Sequence, residues 1–193
     1  MCTYAKFNRL VLLFILVALS KSSLASTGLG VYAGLGLAPT SGYGVIYRVN
    51  DYFILDLGRS RGTHKRPCSN FSIEIDQMNL TYHPFKGALF LGLGAGREKL
   101  HVSNIYAPTE EEFTMDVEAA LAVAKAGWMW GMGDDGFWFG FDISRLRPFQ
   151  ATIRINAPGV DSNSQDYTDS IAAVDDFGQS DFITFLFRLG LLF

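Results

Sequence analysis

The stretch Asp181-Phe-Ile-Thr-Phe-Leu-Phe-Arg-Leu-Gly-Leu-Leu-Phe193 alternates to its end. Phe185, Phe187, Leu189, Leu191 and Phe193 share one face, and Thr184, Leu186, Arg188, Gly190 and Leu192 share the other. A period of two sustained over this length is a β-strand. One face is wholly apolar, while the other carries an arginine and a glycine. A strand of about ten residues with one fully apolar face suits the wall of a barrel in lipid, where polar side chains must turn away from hydrocarbon.

The same residues resemble the C-terminal signal of bacterial outer-membrane barrels, in which a final Phe closes a strand of alternating apolar residues. The resemblance implies that Phe185, Phe187, Leu189, Leu191 and Phe193 form an insertion signal read by the outer-membrane insertion machinery. It names a class of protein rather than one activity.

The rest of the composition agrees. A chain of 193 residues holds one domain, and at 49% apolar and 14% aromatic it is too apolar for disorder. The longest apolar run, Leu10–Leu19, falls short of the ~18 residues of a spanning helix. Lys6 and Arg9 precede it and Ser23-Leu24-Ala25 follows, the layout of a secretory signal peptide cut after Ala25. Residues 1–25 are therefore expected to leave, and 26–193 to form the barrel. With them go Lys6, Arg9 and Lys21, so 13 of the 16 basic residues remain against 19 acids, a net charge of −6. A mildly acidic exported protein is no general nucleic-acid binder. Cys2 is lost with the leader and Cys68 is left alone, which excludes an internal disulfide and a cysteine metal site.

Eight strands can be read in order. Gly28–Ala38 sets Leu29, Val31, Ala33, Leu35 and Leu37 against Gly28, Gly30, Tyr32, Gly34 and Gly36, and glycine at every second place argues against a helix. After a connection at 38–42, Val45, Tyr47 and Val49 face outward and Gly44, Ile46 and Arg48 inward. Phe53, Leu55 and Leu57 resume the outward face beyond a three-residue turn, so Val49 pairs with Phe53 and Arg48 lies diagonal to the inward Asp56. A basic loop at 59–70 leads to a fourth strand with Phe71, Ile73 and Ile75 outward and Ser72, Glu74 and Asp76 inward. A β-bulge near Gln77 would restore Met78, Leu80 and Tyr82 to the lipid face. The fifth strand points Leu89, Leu91, Leu93 and Ala95 outward against Phe90, Gly92, Gly94, Gly96 and Glu98. The sixth, after a loop at 103–112, sets Phe113, Met115, Val117, Ala119, Leu121 and Val123 outward against Thr114, Asp116, Glu118 and three alanines. A phase slip near Ala124 would bring Lys125 inward. Trp128 and Trp130 fit an interfacial aromatic girdle before the turn 131–136. The seventh strand faces Phe137, Phe139, Phe141 and Ile143 outward and Trp138, Gly140, Asp142 and Ser144 inward, and runs on to about Ile155. A long acidic loop, 156–180, precedes the last strand.

Four longer loops alternating with short turns at 50–52, 83–87 and 131–136 resemble the small OmpA/OmpX-type barrels. The resemblance implies an all-β, eight-stranded antiparallel transmembrane barrel in a bacterial outer membrane, with both termini periplasmic. A soluble lipocalin-like barrel would be apolar inside instead.

The inward faces then collect a lumen charge network of Arg48, Asp56, Glu74, Asp76, Glu98, Asp116, Glu118, Asp142 and Arg188. Charges confined in a narrow lumen must pair or stay wet. Arg188 and Asp142, at similar heights on adjacent strands, form the expected pair. An eight-stranded interior is normally filled by side chains, so a plugged scaffold is the first reading and a narrow cation-preferring pore the second. A lipid A-modifying enzyme is the third, with His64, His101 and Ser103 as candidates and Glu110–Glu112 to orient the His, and the chain is expected not to be an enzyme. No cofactor and no metal are expected. Asp161-x-Asn163-x-Gln165-Asp166 alternates oxygen ligands but lacks the glycine and distant Glu of a calcium loop. Arg59, Arg61, Lys65, Arg66, Lys99, Arg147 and Arg154 gather at one end, where guanidinium groups would meet lipopolysaccharide phosphates. The sequence thus predicts a monomeric, non-catalytic outer-membrane scaffold whose outer loops touch lipopolysaccharide or a partner.

Overall fold

Alternating apolar and small or polar residues fold this chain into eight strands. They are β1 (Gly28–Gly36), β2 (Thr40–Arg48), β3 (Phe53–Arg66), β4 (Ser69–Tyr82), β5 (Leu89–Tyr106), β6 (Glu111–Trp130), β7 (Gly136–Asn156) and β8 (Phe182–Leu192). The computed structural model describes residues 27–36, 40–66, 69–86, 88–106, 111–131, 136–156 and 180–193. The proposed leader 1–25 and the calcium-like segment 161–166 lie outside them. Each strand pairs antiparallel with the next, and β8 returns to β1, so the sheet closes on itself. Leu29 and Phe193 exchange backbone hydrogen bonds of 3.2 and 2.8 Å at that seam. Closure leaves no edge within the ring, which a sheet in lipid requires.

The turn at 50–52 lies as expected. Val49 donates to the Phe53 carbonyl at 2.9 Å, and Asn50 Oδ1 accepts from the backbone of Tyr52 and Phe53, so a side chain holds the 50–52 turn. The opposite end differs. The expected loop 59–70 is mostly strand, since β3 runs to Arg66 and β4 starts at Ser69. The connections 38–42 and 103–112 shorten in the same way, with β2 beginning at Thr40, β5 reaching Tyr106 and β6 beginning at Glu111. The wall is consequently uneven: β1, β2 and β8 have 9, 9 and 11 residues, whereas β5, β6 and β7 have 18, 20 and 21 and stand above it.

The outside of the lower wall is apolar: Leu35, Leu57, Leu93, Phe139, Ile143 and Leu189 are all exposed. At the short-turn end Trp128 stacks on Phe141 and Trp130 on Phe139, each with centroids 5.0 Å apart, and Tyr52 stacks on Tyr82. These rings make the aromatic girdle of a transmembrane barrel.

Two faces are the reverse of the sequence reading. No bulge occurs near Gln77, because β3 and β4 pair without interruption from Phe53↔Tyr82 to Arg66↔Ser69. One unbroken register keeps Ser72, Glu74 and Asp76 on the outer face with Met78 and Leu80, and Ile75 turns inward and is buried. In β6, Met115, Val117, Ala119, Leu121 and Val123 are buried inward, while Asp116, Glu118 and the alanines 120, 122 and 124 face out. The cause is the height of these segments. Above the apolar band the outer face meets water, so the interior is the only dry place for an isoleucine or a leucine. Ile75, Leu121, Val123 and Leu146 pack there as one cluster, with Ile73 and Phe182 against it. The bulge lies elsewhere, where Ala119 of β6 faces two residues of β7 and Gln150 takes a φ of 56°. Past it the phase of β7 flips, and Thr152 and Arg154 face out.

Candidate functional site

The lumen is layered. Below, Tyr32, Ile46, Ile54, Phe90, Met129, Trp138 and Leu192 form one buried apolar cluster, and the Ile75–Leu146 cluster lies above. Between the two, at Asp56 of β3, Lys125 of β6, Asp142 of β7 and Arg188 of β8, runs a charged layer. Each strand gives one such residue because every second side chain points inward.

Arg188 is the hub. Its Nη1 donates to Asp56 Oδ2 at 2.9 Å, and Nη2 lies 2.8 Å from Asp142 Oδ2. Asp56 also accepts from Lys125 Nζ at 3.1 Å and from the Tyr32 hydroxyl at 2.9 Å. Ser144 donates to Asp142 at 2.9 Å. The guanidinium carbon stands 5.2 Å from the Tyr32 ring centroid and within 6.0 Å of those of Phe90 and Trp138. Two cations therefore face two carboxylates, all buried, so the layer is electrically balanced. Glycines make the space: a Cβ at Gly44 or Gly58 would meet the Tyr32 phenol that reaches Asp56.

The expected Arg188–Asp142 pair is therefore present, and Asp56 joins it. Arg48 and Glu98 also point inward and are buried, at different heights. Glu74, Asp76, Asp116 and Glu118 are not lumen residues. Lys125 faces inward without any slip at Ala124, since β5 and β6 hold one register from Leu89↔Trp128 to Tyr106↔Glu111. The sequence reading brings Lys125 inward only through a slip near Ala124, because it gives β6 the opposite phase, and it leaves the inward Tyr32 hydroxyl out of the network.

The outward acids meet outward bases. Arg59 Nη2 donates to Asp76 at 2.8 Å, Arg61 pairs with Glu74, Arg97 with Glu118, and His101 Nδ1 lies 2.7 Å from Asp116 Oδ1. Arg145 bonds Asp181. Successive strands β3 to β7 thus present columns of alternating sign just above the apolar band. The Arg59 hydrogen bonds hold the Asp76 carboxyl below its ordinary range, and Arg97 does the same for Glu118. Among the expected lipopolysaccharide contacts, Arg59, Arg61, Lys65, Lys99, Arg147 and Arg154 are exposed on this wall. The side chain of Arg66, and those of Glu110–Glu112, lie outside the described residues. Ser103 accepts from Asn70 Nδ2 at 3.5 Å.

Glu98 stands apart. It lies beyond Arg97, above the apolar band, its side chain turned into the barrel between Ile75 and Ala119. Its Oε1 is buried without a hydrogen-bond partner, and burial pushes the carboxyl up to about 7.

A closed ring of eight strands, lipid-compatible outside and filled inside, decides the architecture. The chain is a small eight-stranded transmembrane β-barrel. No protein-family profile and no curated protein matches it. Among solved structures it is similar to Acinetobacter baumannii CarO, at 12% identity over 89% of this chain and 100% of that one, with a TM-score of 0.46. The N-terminal β-barrel domain of Pseudomonas aeruginosa OprF matches at 12% identity over 86% and 96%, with a TM-score of 0.46. Neisserial surface protein A matches at 10% identity over 89% and 100%, with a TM-score of 0.49.

Proposed function

We propose that this barrel resides in a bacterial outer membrane, with both termini periplasmic, and serves as a structural and interaction scaffold. In that role its raised wall contacts lipopolysaccharide or a partner surface. The observation that carries the reading is the sealed lumen: two apolar clusters enclose a neutral charged layer, leaving the outer wall as the working surface. Sealing also weighs against the cation-preferring pore, because an ion would have to separate Arg188 from two carboxylates in a dry space.

The wall is suited to a phosphate-rich headgroup. Arg59 and Arg61 each give a carboxylate two of their nitrogens, and a guanidinium has five N–H donors in all, so donors remain for phosphate. Lys99 and Arg154 add charge at a higher level. The test is binding of purified lipopolysaccharide to the detergent-solubilised barrel. Replacing Arg59, Arg61 and Lys99 together with Gln should weaken binding about tenfold or more and flatten its salt dependence. Unchanged affinity would overturn the lipopolysaccharide contact. In planar bilayers the barrel should hold no steady conductance; discrete channel events would favour the pore.

A further inference from the structure

Three outward side chains on the raised wall are brought together only by strand register. Ser72 of β4 lies directly opposite His101 of β5, and His101 lies directly opposite Asp116 of β6. Residues paired in this way on one face have Cβ atoms ~4.5–5.5 Å apart. His101 Nδ1 is already engaged, 2.7 Å from Asp116 Oδ1. With Nδ1 held towards β6, Nε2 lies on the ring edge away from Asp116, and Ser72 is the residue paired with His101 on the β4 side. All three line one hollow of about 480 Å³, together with Glu74, Lys99, Glu118, Thr152 and Arg154.

We propose that Ser72, His101 and Asp116 form a serine-hydrolase site on the outer wall, acting on carboxylic esters presented at the membrane surface. Ester-bearing headgroups of the outer leaflet are the substrate class, which rests on the outward orientation proposed above. The three residues have the required roles: a hydroxyl nucleophile, an imidazole base beside it, and a carboxylate that fixes the imidazole tautomer. Ser72 Oγ attacks the ester carbonyl carbon as its proton passes to His101 Nε2. The bond from that carbon to the alkoxy oxygen then breaks, and the alcohol leaves with the proton from His101. A water molecule gives a proton to His101 and its hydroxide to the acyl carbon. The Ser72 ester bond breaks, Ser72 regains its proton from His101, and the acid departs and gives its proton to water. Lys99 and Arg154 are the cations of the hollow that can face the oxyanion, with Glu118 Oε1 3.8 Å from Lys99 Nζ. Serine, histidine and aspartate stand 29 and 15 residues apart, so linear spacing hides them.

The test uses the full mature barrel in detergent and in membrane vesicles, with a soluble fluorophosphonate probe and a soluble p-nitrophenyl ester. Labelling should occur, and peptide mapping of the wild-type protein should place the label on Ser72. Ser72→Ala and His101→Ala should each lower ester hydrolysis at least about a hundredfold, Asp116→Asn should lower it substantially, and Ser103→Ala should leave it unchanged. A heat-dependent gel shift confirms that each variant is a folded barrel. No labelling, a label on another residue, or hydrolysis that survives Ser72→Ala would overturn the proposal. Both probes are small and soluble, so failure here leaves the lipopolysaccharide-binding test standing, and failure of that test leaves this one readable.

Discussion

Arg188 of β8 reaches across the lumen to Asp56 of β3, Nη1 to Oδ2 at 2.9 Å, over two intervening strands and 132 residues of chain. The contact joins strands that share no backbone hydrogen bond, so it braces the barrel across its width. Arg188→Ala should destabilise the protein by ~3–5 kcal/mol, since it strands buried carboxylates. Asp56 would keep Lys125 and Tyr32, whereas Asp142 would keep only Ser144. Adding Asp142→Asn should therefore recover more stability than adding Asp56→Asn. Urea unfolding in lipid vesicles, followed by tryptophan fluorescence, measures all of these. Losses that simply add would separate Arg188 from Asp142.

Glu98 gives the barrel a pH dependence of its own. Its folded carboxyl is pushed up to about 7 by burial, above the ordinary unfolded value of 4.5. Between these values the folded state holds more protons than the unfolded state, so this group's contribution to stability falls as pH rises from about 4.5 to 7. Glu98→Gln keeps the shape and removes the proton equilibrium. The variant should gain on the wild type as pH rises through that window, by ~1–2 kcal/mol once solvent at the open end is allowed for. Parallel stability curves for the two proteins from pH 4 to 8 would refute the burial of an uncompensated carboxyl.

Gly190 is a packing glycine. A Cβ there would land against the Trp138 ring and the Val31 carbonyl, and Trp138 is fully buried. Gly190→Ala should cost ~1–3 kcal/mol through overpacking. Trp138→Phe on the same background should return part of it, because the smaller ring clears the methyl group. Denaturant midpoints of the two variants provide the comparison.

Phe193 separates assembly from packing. Its side chain is 62% exposed, so it contributes little to the folded core. Phe193→Asp should leave the unfolding midpoint of refolded protein within ~1 kcal/mol of wild type. In cells it should sharply reduce the folded amount in the outer membrane, if the outward face of β8 is the insertion signal. Normal cellular levels would remove that role from Phe193.

The alternation of residues by itself determined that the chain forms strands, how many there are, and which residues share a face. In β1, β2, β3, β5, β7 and β8 it also determined which face meets lipid, and so placed Arg188 beside Asp142. The lower parts of those strands lie within the apolar band, where the environment outside is fixed as hydrocarbon. In β6 and in the upper half of β4, residues 71–76, the same pattern gives the faces exchanged. A period of two says that alternate residues differ, but it does not say which side is dry. Above the membrane water lies outside and the packed interior becomes the apolar phase, so Ile75 and Leu121 point inward and Glu74, Asp76, Asp116 and Glu118 outward. Only the continuous register of β3 through β6 decides this, because one slipped residue would exchange every face. The tertiary structure likewise decided that Lys125 and Tyr32 complete the lumen network, and that Ser72, His101 and Asp116 stand in one row across β4, β5 and β6. Each of those contacts joins residues far apart in the chain, through hydrogen bonds that no local pattern records.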